Sequence, residues 1–352
     1  MMNYEIFKEV FKGKLTDYMP DKFKNYKAVE HKVYKVNCEK DAINLFPTGE
    51  NSRAGGSPTI YVENYYEMYK KGESLDDVIR HAADTIKRGY ECVPEIIKGD
   101  EIDMERLKEG VVAILVNTVQ NEDYLKEIPH REFLDLSIIY KSVVSIDKEG
   151  MGTAVITNEM ASRMEMSEAQ LYETAMENTP KLLPATIKPM EEIICEIIMG
   201  EAMAVGQEMS MDGTMEMLNE AKGDDELSMY VMTNREKING AAEILFPENL
   251  DKLSAKFDSD IYIIPSSVHE IIAVSAEGKD ASELQEMVNE VNMNEVSLEE
   301  RLSNEVYHYD RNKKELTIAS DAPNKRLDGK SESEQFRYDT PERTVSVMLW
   351  KL

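Results

Sequence analysis

The densest group of chemically capable side chains in the sequence is Pro265-Ser266-Ser267-Val268-His269-Glu270, set between two apolar runs. A hydroxyl beside an imidazole can become a nucleophile with its own base. That pattern therefore raises a hydrolase in which Ser266 or Ser267 attacks, His269 takes the proton and a third group from elsewhere orients the ring. No Gly-x-Ser-x-Gly elbow surrounds these serines. Strand alternation would also send His269 and Glu270 to opposite faces, so they are not an evident acid–base pair. The competing reading is structural: the hydroxyls bond local backbone, and His269 hydrogen-bonds a neighbouring strand or helix.

A second polar group, Pro129-His130-Arg131-Glu132, precedes a strand carrying Asp135 and Tyr140 and occupies an equivalent place earlier in the chain. Its charges suit the solvated start of a strand, although His130 and His269 could bracket one shared cleft. Asn178, near the end of the first capped helix, and Asn292, after the second, suit ties between helix termini and nearby loops.

Metal and cofactor signatures are missing. His269-Glu270 lacks the second histidine of His-Glu-x-x-His, and Cys38, Cys92 and Cys195 lie far apart. Asp212-Gly213 and Asp224-Asp225-Glu226 lack the ligand spacing of a calcium loop. Neither Gly-x-x-x-x-Gly-Lys-Ser/Thr nor Gly-x-Gly-x-x-Gly occurs, so no metal and no cofactor are expected.

Charge is the strongest compositional signal. The 352 residues carry 68 acids against 41 Lys and Arg, a net charge of −27. Met190 to Asp310 alone holds 28 acids and 7 bases, whereas Met1 to Val36 is net +3. Such a surface repels phosphate backbones and disfavours direct nucleic-acid binding. It permits a basic protein partner, for which Asp224, Asp225 and Glu226 are candidate contacts, or mimicry of nucleic acid toward a DNA-binding protein. It also keeps a chain soluble with no partner at all. Within this region Met190, Met199, Met203, Met209, Met211, Met215 and Met217 lie along one predicted helical segment, weakened by Gly200, Gly206 and Gly213. Unbranched thioethers suit a pliable partner-binding groove, and equally a core or bridging helix.

The elements that must position these groups follow from periodicity. Strands are predicted at Asp41–Phe46 and Thr59–Val62. A helix capped by Ser74 buries Leu75, Val78, Ile79, Ala82 and Ile86. Val111 to Val116 is a continuous apolar run, the pattern of a strand covered on both faces. Leu134–Ile146 and Gly152–Thr157 read as a hairpin. Ser167 and Gln170 then form a capping box for a helix ending near Pro180.

The order repeats: a strand at Met229–Met232, helical turns at Gly240–Leu245 and Leu250–Phe257, and a hairpin of Asp260–Ile264 with Val268–Ser275. A second capping box of Ser282 with Gln285 opens the last helix, whose buried stripe is Leu284, Met287, Val288 and Val291. The expectation is an α+β fold of antiparallel or mixed sheets with packed helices. It comprises an N-terminal helix and sheet segment (1–110), a strand–helix–hairpin–helix unit (111–190), a Met-rich acidic connector (191–224), a related second unit (225–318) and a tail (319–352) with an edge strand at Thr344–Trp350. With 42% hydrophobic residues, no apolar run of membrane length and no leader-like start, the expected setting is the bacterial cytosol.

Four ordered motifs then point to a family. They are Phe133-Leu-Asp-Leu-Ser-Ile-Ile-Tyr140, the segment from Leu171-Tyr172 to Glu177-Asn178-Thr179, Met229-Tyr-Val-Met-Thr-Asn234 with Gly240-Ala241, and Ile263-Ile-Pro-Ser-Ser-Val-His-Glu270. Glu290-Val-Asn292, Leu302-Ser303 and Val306-Tyr307 extend them. Over roughly residues 30 to 320 the chain resembles domain of unknown function 5688, a bacterial, Firmicutes-type family. The resemblance implies one continuous architecture and supplies no catalytic residues. Three functions stand side by side: a non-enzymatic binding or regulatory protein, a hydrolase, and an acidic mimic of nucleic acid.

Overall fold

A computed structural model describes residues 1–48, 57–91, 97–98, 101–147, 150–204, 206, 209–221, 228–265, 267–322 and 326–328. The predicted strand at Thr344–Trp350 lies outside them. The first helix, α1 (Tyr4–Leu15), begins where Asn3 Oδ1 accepts the Ile6 N–H at 2.9 Å. Phe7, Phe11 and Leu15 recur every fourth residue and are fully buried. They pack with β2 (Cys38–Pro47) of an antiparallel sheet β1 (Tyr26–Lys35), β2 and β3 (Thr59–Tyr61), and with α2 (Val62–Lys70) and α3 (Leu75–Glu91). Of the predicted stripe, α3 buries Val78, Ile79, Ala82 and Ile86, while Leu75 in its first turn is only half-buried. The small hairpin β4 (Ile97–Lys98) and β5 (Glu101–Ile102) and the helix α4 (Met104–Glu109) lead onward.

The next strand, β6 (Val111–Asn117), is buried at every position. Ala113 and Leu115 face the central core, while Ile114 and Val116 meet α5 (Glu122–Leu125) on the other side. Strands β7 (His130–Phe133), β8 (Leu136–Asp147) and β9 (Gly150–Val155) complete an antiparallel sheet in which β6 and β7 flank β8, and β9 extends the β7 side. The free edge of β6 is closed by a side chain. Thr179 Oγ1 accepts the Ala113 N–H at 2.9 Å and donates to the Ala175 carbonyl at 2.7 Å. Thr179 belongs to α7 (Glu168–Leu182), which follows the short α6 (Asn158–Arg163). The Ser167–Gln170 capping box is present, but α7 runs two residues past Pro180.

The second sheet is antiparallel throughout: β10 (Ala185–Pro189), β11 (Met229–Asn234), β13 (Ile271–Ser275), β12 (Ile261–Ile264), β14 (Tyr307–Asp310) and β15 (Glu315–Ile318), in that spatial order. The Met-rich stretch forms two helices, α8 (Met190–Ala204) and α9 (Met211–Ala221), instead of one. Gly206 at φ 76° marks the break, a conformation that glycine adopts without side-chain strain. A 3-10 helix over Gly240–Leu245 and α10 (Pro247–Phe257) follow β11. After β13 comes α11 (Ala281–Asn294). The cap of α11 is Asp280, whose Oδ1 takes the Ser282 N–H at 2.7 Å, so Ser282 already lies inside the first turn.

One side of this sheet (Met232, Ile261, Ile263, Ile271, Ala273, Tyr307) shares a single core with Ala113, Leu115, Leu136, Ile138 and Tyr140 of the first. The other side (Val231, Ile272, Val274) packs under α8 and α11. In strand order, β6-β8-β7 of the first sheet and β11-β13-β12 of the second follow the same path. The equivalent hairpins are β7–β8 and β12–β13, so the β8–β9 hairpin is an addition to the first unit.

Candidate functional site

Asn234 ends β11, and its Oδ1 accepts the N–H groups of Glu236 and Ile238 at 3.0 and 3.4 Å. Lys237 and Asn239 then take left-handed φ of 54° and 56°, folding the chain back on itself. This brings Gly240 against the 267–270 segment. A Cβ there would stand 2.2 Å from Thr233 Oγ1 and 2.5 Å from the His269 carbonyl oxygen. Thr233 donates to that same carbonyl at 2.7 Å, and the Ala241 N–H donates to Val268 O at 3.2 Å.

Within this clamp Ser267 is buried. Its hydroxyl oxygen accepts the His269 N–H at 3.0 Å, and the hydroxyl bonds the Glu270 carboxyl. Ser267 also bridges to Arg301. The hydroxyl is thus engaged by local groups and is not the partner of the imidazole. Ser266 lies outside the described residues. His269 Nδ1 accepts the Asn239 N–H at 3.2 Å, which leaves the neutral ring's proton on Nε2. That nitrogen stands 3.9 Å from Glu300 Oε1, beyond hydrogen-bond length. Burial, reinforced by the Lys141 ammonium, pulls the imidazole down to about 4. Burial pushes Glu270 up to about 7 against the opposing Ser267 bond, with Glu300 adding repulsion.

The chemistry available at neutral pH is therefore that of a neutral imidazole offering one N–H and a carboxyl near its titration point. Cys38, at the start of β2, adds no thiolate, because burial and then Glu299 push its thiol up to about 12.

The second polar group is a strut. Arg131 Nε and Nη2 hold both Glu168 oxygens at 3.0 and 2.9 Å, and the guanidinium lies 3.8 Å over the Tyr172 ring. His130 lines a groove with Lys126, Asn158, Met166 and Glu168, and its Nδ1 contacts the Ile128 carbonyl at 3.0 Å. It and His269 lie against different residues. Asn178 and Asn292 do tie helix ends, the first to Glu109 O at 3.1 Å and the second to Ser303 O at 2.9 Å. Asp224, Asp225 and Glu226 lie outside the described residues.

Residues 295–306, between α11 and β14, form a polar junction that periodicity could not reveal. Asp135 accepts the hydroxyls of Tyr307 at 2.5 Å and Ser303 at 2.6 Å. Asn37, at φ 65° in the β1–β2 turn, donates to Leu298 O and Arg301 O at 2.7 and 2.6 Å. Asn117 donates to Leu302 O at 3.1 Å. The buried Arg301 guanidinium is held by the carbonyls of Val296 and Leu327, and desolvation lowers it to about 10. These links join residues distant in sequence, with side chains standing in for missing backbone partners at strand ends, and no local spacing announces them.

Among the described residues no group of three or more His, Cys, Asp or Glu could hold a metal ion, and no helix is long and apolar enough to cross a membrane. The architecture is that of an α+β protein in which two antiparallel sheets share a core and an N-terminal sheet joins them through the polar junction. The chain belongs to the family of unknown function DUF5688, which matches residues 4–311. No curated protein and no solved structure matches it.

Proposed function

We propose that this protein is a cytosolic binding protein that offers the α8–α9 pair to a basic, apolar-faced segment of a protein partner. The observation carrying this reading is the surface of those two helices. Met203 and Met217 are 81% and 62% exposed, and Ile198 and Met199 are half-buried beside them. Residues 190–221 contain eight acids and no Lys, Arg or His. The first turns of α8 reach the core under the second sheet through Met190 and Ile193, and Cys195, Ala202 and, in α9, Thr214 are buried as well. Glu192 and Glu196 are held by Lys188, whereas Glu201, Asp212 and Glu216 stand in solvent. Thioether side chains repack around different apolar faces, and surrounding carboxylates steer a basic partner and fix its orientation. Asp224, Asp225 and Glu226 continue the acidic run in sequence. The local bonding of Ser267 supports binding over hydrolysis.

The test uses 13C-methyl-methionine protein and a helical model peptide of leucine and lysine, with a leucine–glutamate peptide as control. The Met203 and Met217 methyls should shift with the basic peptide while buried Met164 and Met232 stay still, and affinity should fall steeply with salt. Met203→Ser with Met217→Ser should weaken binding about tenfold. Equal response to the acidic peptide, or shifts located away from α8 and α9, would defeat the reading.

A further inference from the structure

At the end of the second sheet opposite the 265–270 corner, three chain segments meet: residues 258–262, residues 275–277 and the β14–β15 turn. Short bonds pin their backbone. Asp258, at a left-handed φ of 53°, ends α10 and turns the chain into β12. The Ala276 N–H donates to Asp260 O at 2.9 Å and the Arg311 N–H to Asp260 Oδ1 at 3.0 Å, while the Ser259 and Ser275 hydroxyls stand 2.9 Å apart. In the turn, Asp310 Oδ1 accepts the N–H groups of Asn312 and Lys313 at 3.0 and 2.9 Å. The walls are therefore set before any ligand arrives.

Between these segments lies an open cleft of about 550 Å³, in whose lining Tyr262 and Ala276 are the apolar residues. Its charges are largely matched. Arg311 Nη1 holds Asp258 Oδ1 at 2.8 Å, and His308 Nε2 stands 3.5 Å from Asp260 Oδ2. What is left over is hydrogen-bonding capacity: the Tyr262 hydroxyl, the Glu277 carboxylate and the Asn312 amide bond to no described residue. Glu277 and Asn312 are exposed, and the half-buried Tyr262 ring meets the His308 ring edge-on with centroids 5.6 Å apart.

We propose that this cleft binds a pyranose sugar. Each hydroxyl of such a ring both donates and accepts, and its C–H face is apolar, so it matches a lining that mixes free donors, free acceptors and one aromatic ring. Adjacent hydroxyls span the two oxygens of Glu277, and the Arg311 nitrogens not spent on Asp258 remain as donors. A neutral ligand leaves both charge pairs intact. An anion would instead face Asp258, Asp260 and Glu277, and among the described residues no three such groups could hold a metal ion. The site is independent of the α8–α9 surface.

The experiment titrates glucose, galactose and mannose separately into the full chain labelled with 15N-histidine and 13C-tyrosine, with putrescine as a cationic control. At least one hexose should give saturable shifts of the His308 and Tyr262 ring signals, while His130, in its own groove, stays still. Glu277→Ala should weaken that binding about tenfold and Asn312→Ala by a few-fold, and neither exposed residue is needed for folding. Glu173→Gln, at an exposed position of α7, should bind as the parent does. The absence of shifts with all three hexoses, equal shifts with putrescine, or undiminished binding in Glu277→Ala would overturn the proposal.

Discussion

In the first unit the corner between β7 and β8 is two residues, Leu134 and Asp135. In the second the corner between β12 and β13 is six residues, 265–270. Both corners meet the 295–306 segment. The short one inserts a carboxylate whose oxygens are taken by Ser303 and Tyr307. The long one pairs Ser267 with Arg301, rests its backbone against Gly240, and leaves the His269 Nε2–H without a hydrogen-bond acceptor among the described residues. The same strand path therefore yields a closed strut in one unit and an unspent donor in the other. The second corner has four more residues than the first, and they hold Ser267 in the interior while His269 stays partly exposed.

The largest expected effect is at the clamp. In Gly240→Ala the new methyl would meet Thr233 Oγ1, the His269 carbonyl and the Asn234 nitrogen at 2.2, 2.5 and 2.7 Å. Two of those are backbone atoms that cannot turn away. Stability should fall by roughly 3 kcal/mol in a urea titration. A variant as stable as the parent would mean that the long corner needs no close approach.

Next in size is the contrast between corners. Asp135→Ala strands two hydroxyls in the interior and should cost roughly 2–3 kcal/mol, against about 1–2 kcal/mol for Ser267→Ala. Chemical denaturation of the two proteins ranks them, and the reverse order would contradict the view that the short corner is the structural one.

A third contrast is a pH dependence. The helix after β11 carries Glu243 between the sheets, whereas its first-unit counterpart α5 shows Glu122 to solvent. Glu243 is 1% exposed; Asn249 donates to its Oε2 at 2.9 Å, and Oε1 has no partner. Burial pushes this carboxyl up to about 8 despite the Asn249 bond. The folded state holds that proton more tightly than the unfolded chain. Its contribution is therefore complete below the ordinary glutamate value of 4.5 and is lost as pH rises through about 8. Glu243→Gln should gain stability relative to the parent as pH goes from about 5 to about 9, by a few degrees in melting temperature. A difference that stays flat across that range would show the carboxyl to be ionised and solvated.

Wherever neighbours in sequence determine the outcome, the elements were readable. The run Val111–Val116 announces a doubly covered strand, and Ser167 with Gln170 fixes the start of α7, because both depend on residues within one element. At Ser282 the helix begins two residues earlier than the Ser–x–x–Gln spacing suggests, because Asp280 Oδ1 takes the Ser282 N–H and so caps the first turn itself. Pro180 marks the last turn of α7, which ends two residues later at Leu182. The Ser267–His269–Glu270 segment was legible as a polar cluster, yet its geometry depends on Asn239, Gly240 and Glu300. Asp135 and Tyr307, 172 positions apart, carry no sequence mark that would join them.

The turn at Asn37 has a consequence for how the chain is made. Its side-chain amide is satisfied by the carbonyls of Leu298 and Arg301, 261 and 264 residues downstream. During translation at about 5–20 residues per second, that amide leaves the ribosome roughly 10–50 seconds before its acceptors exist. The N-terminal core of α1, β2 and α3 can consolidate in that interval through its own apolar contacts, while the β1–β2 tip stays hydrated and open. Docking of residues 298–307 then joins the earliest-made module to the latest, and a ribosome-stalled chain ending before residue 298 would lack the seam together with the Leu302, Tyr307 and Tyr309 side chains of the central core.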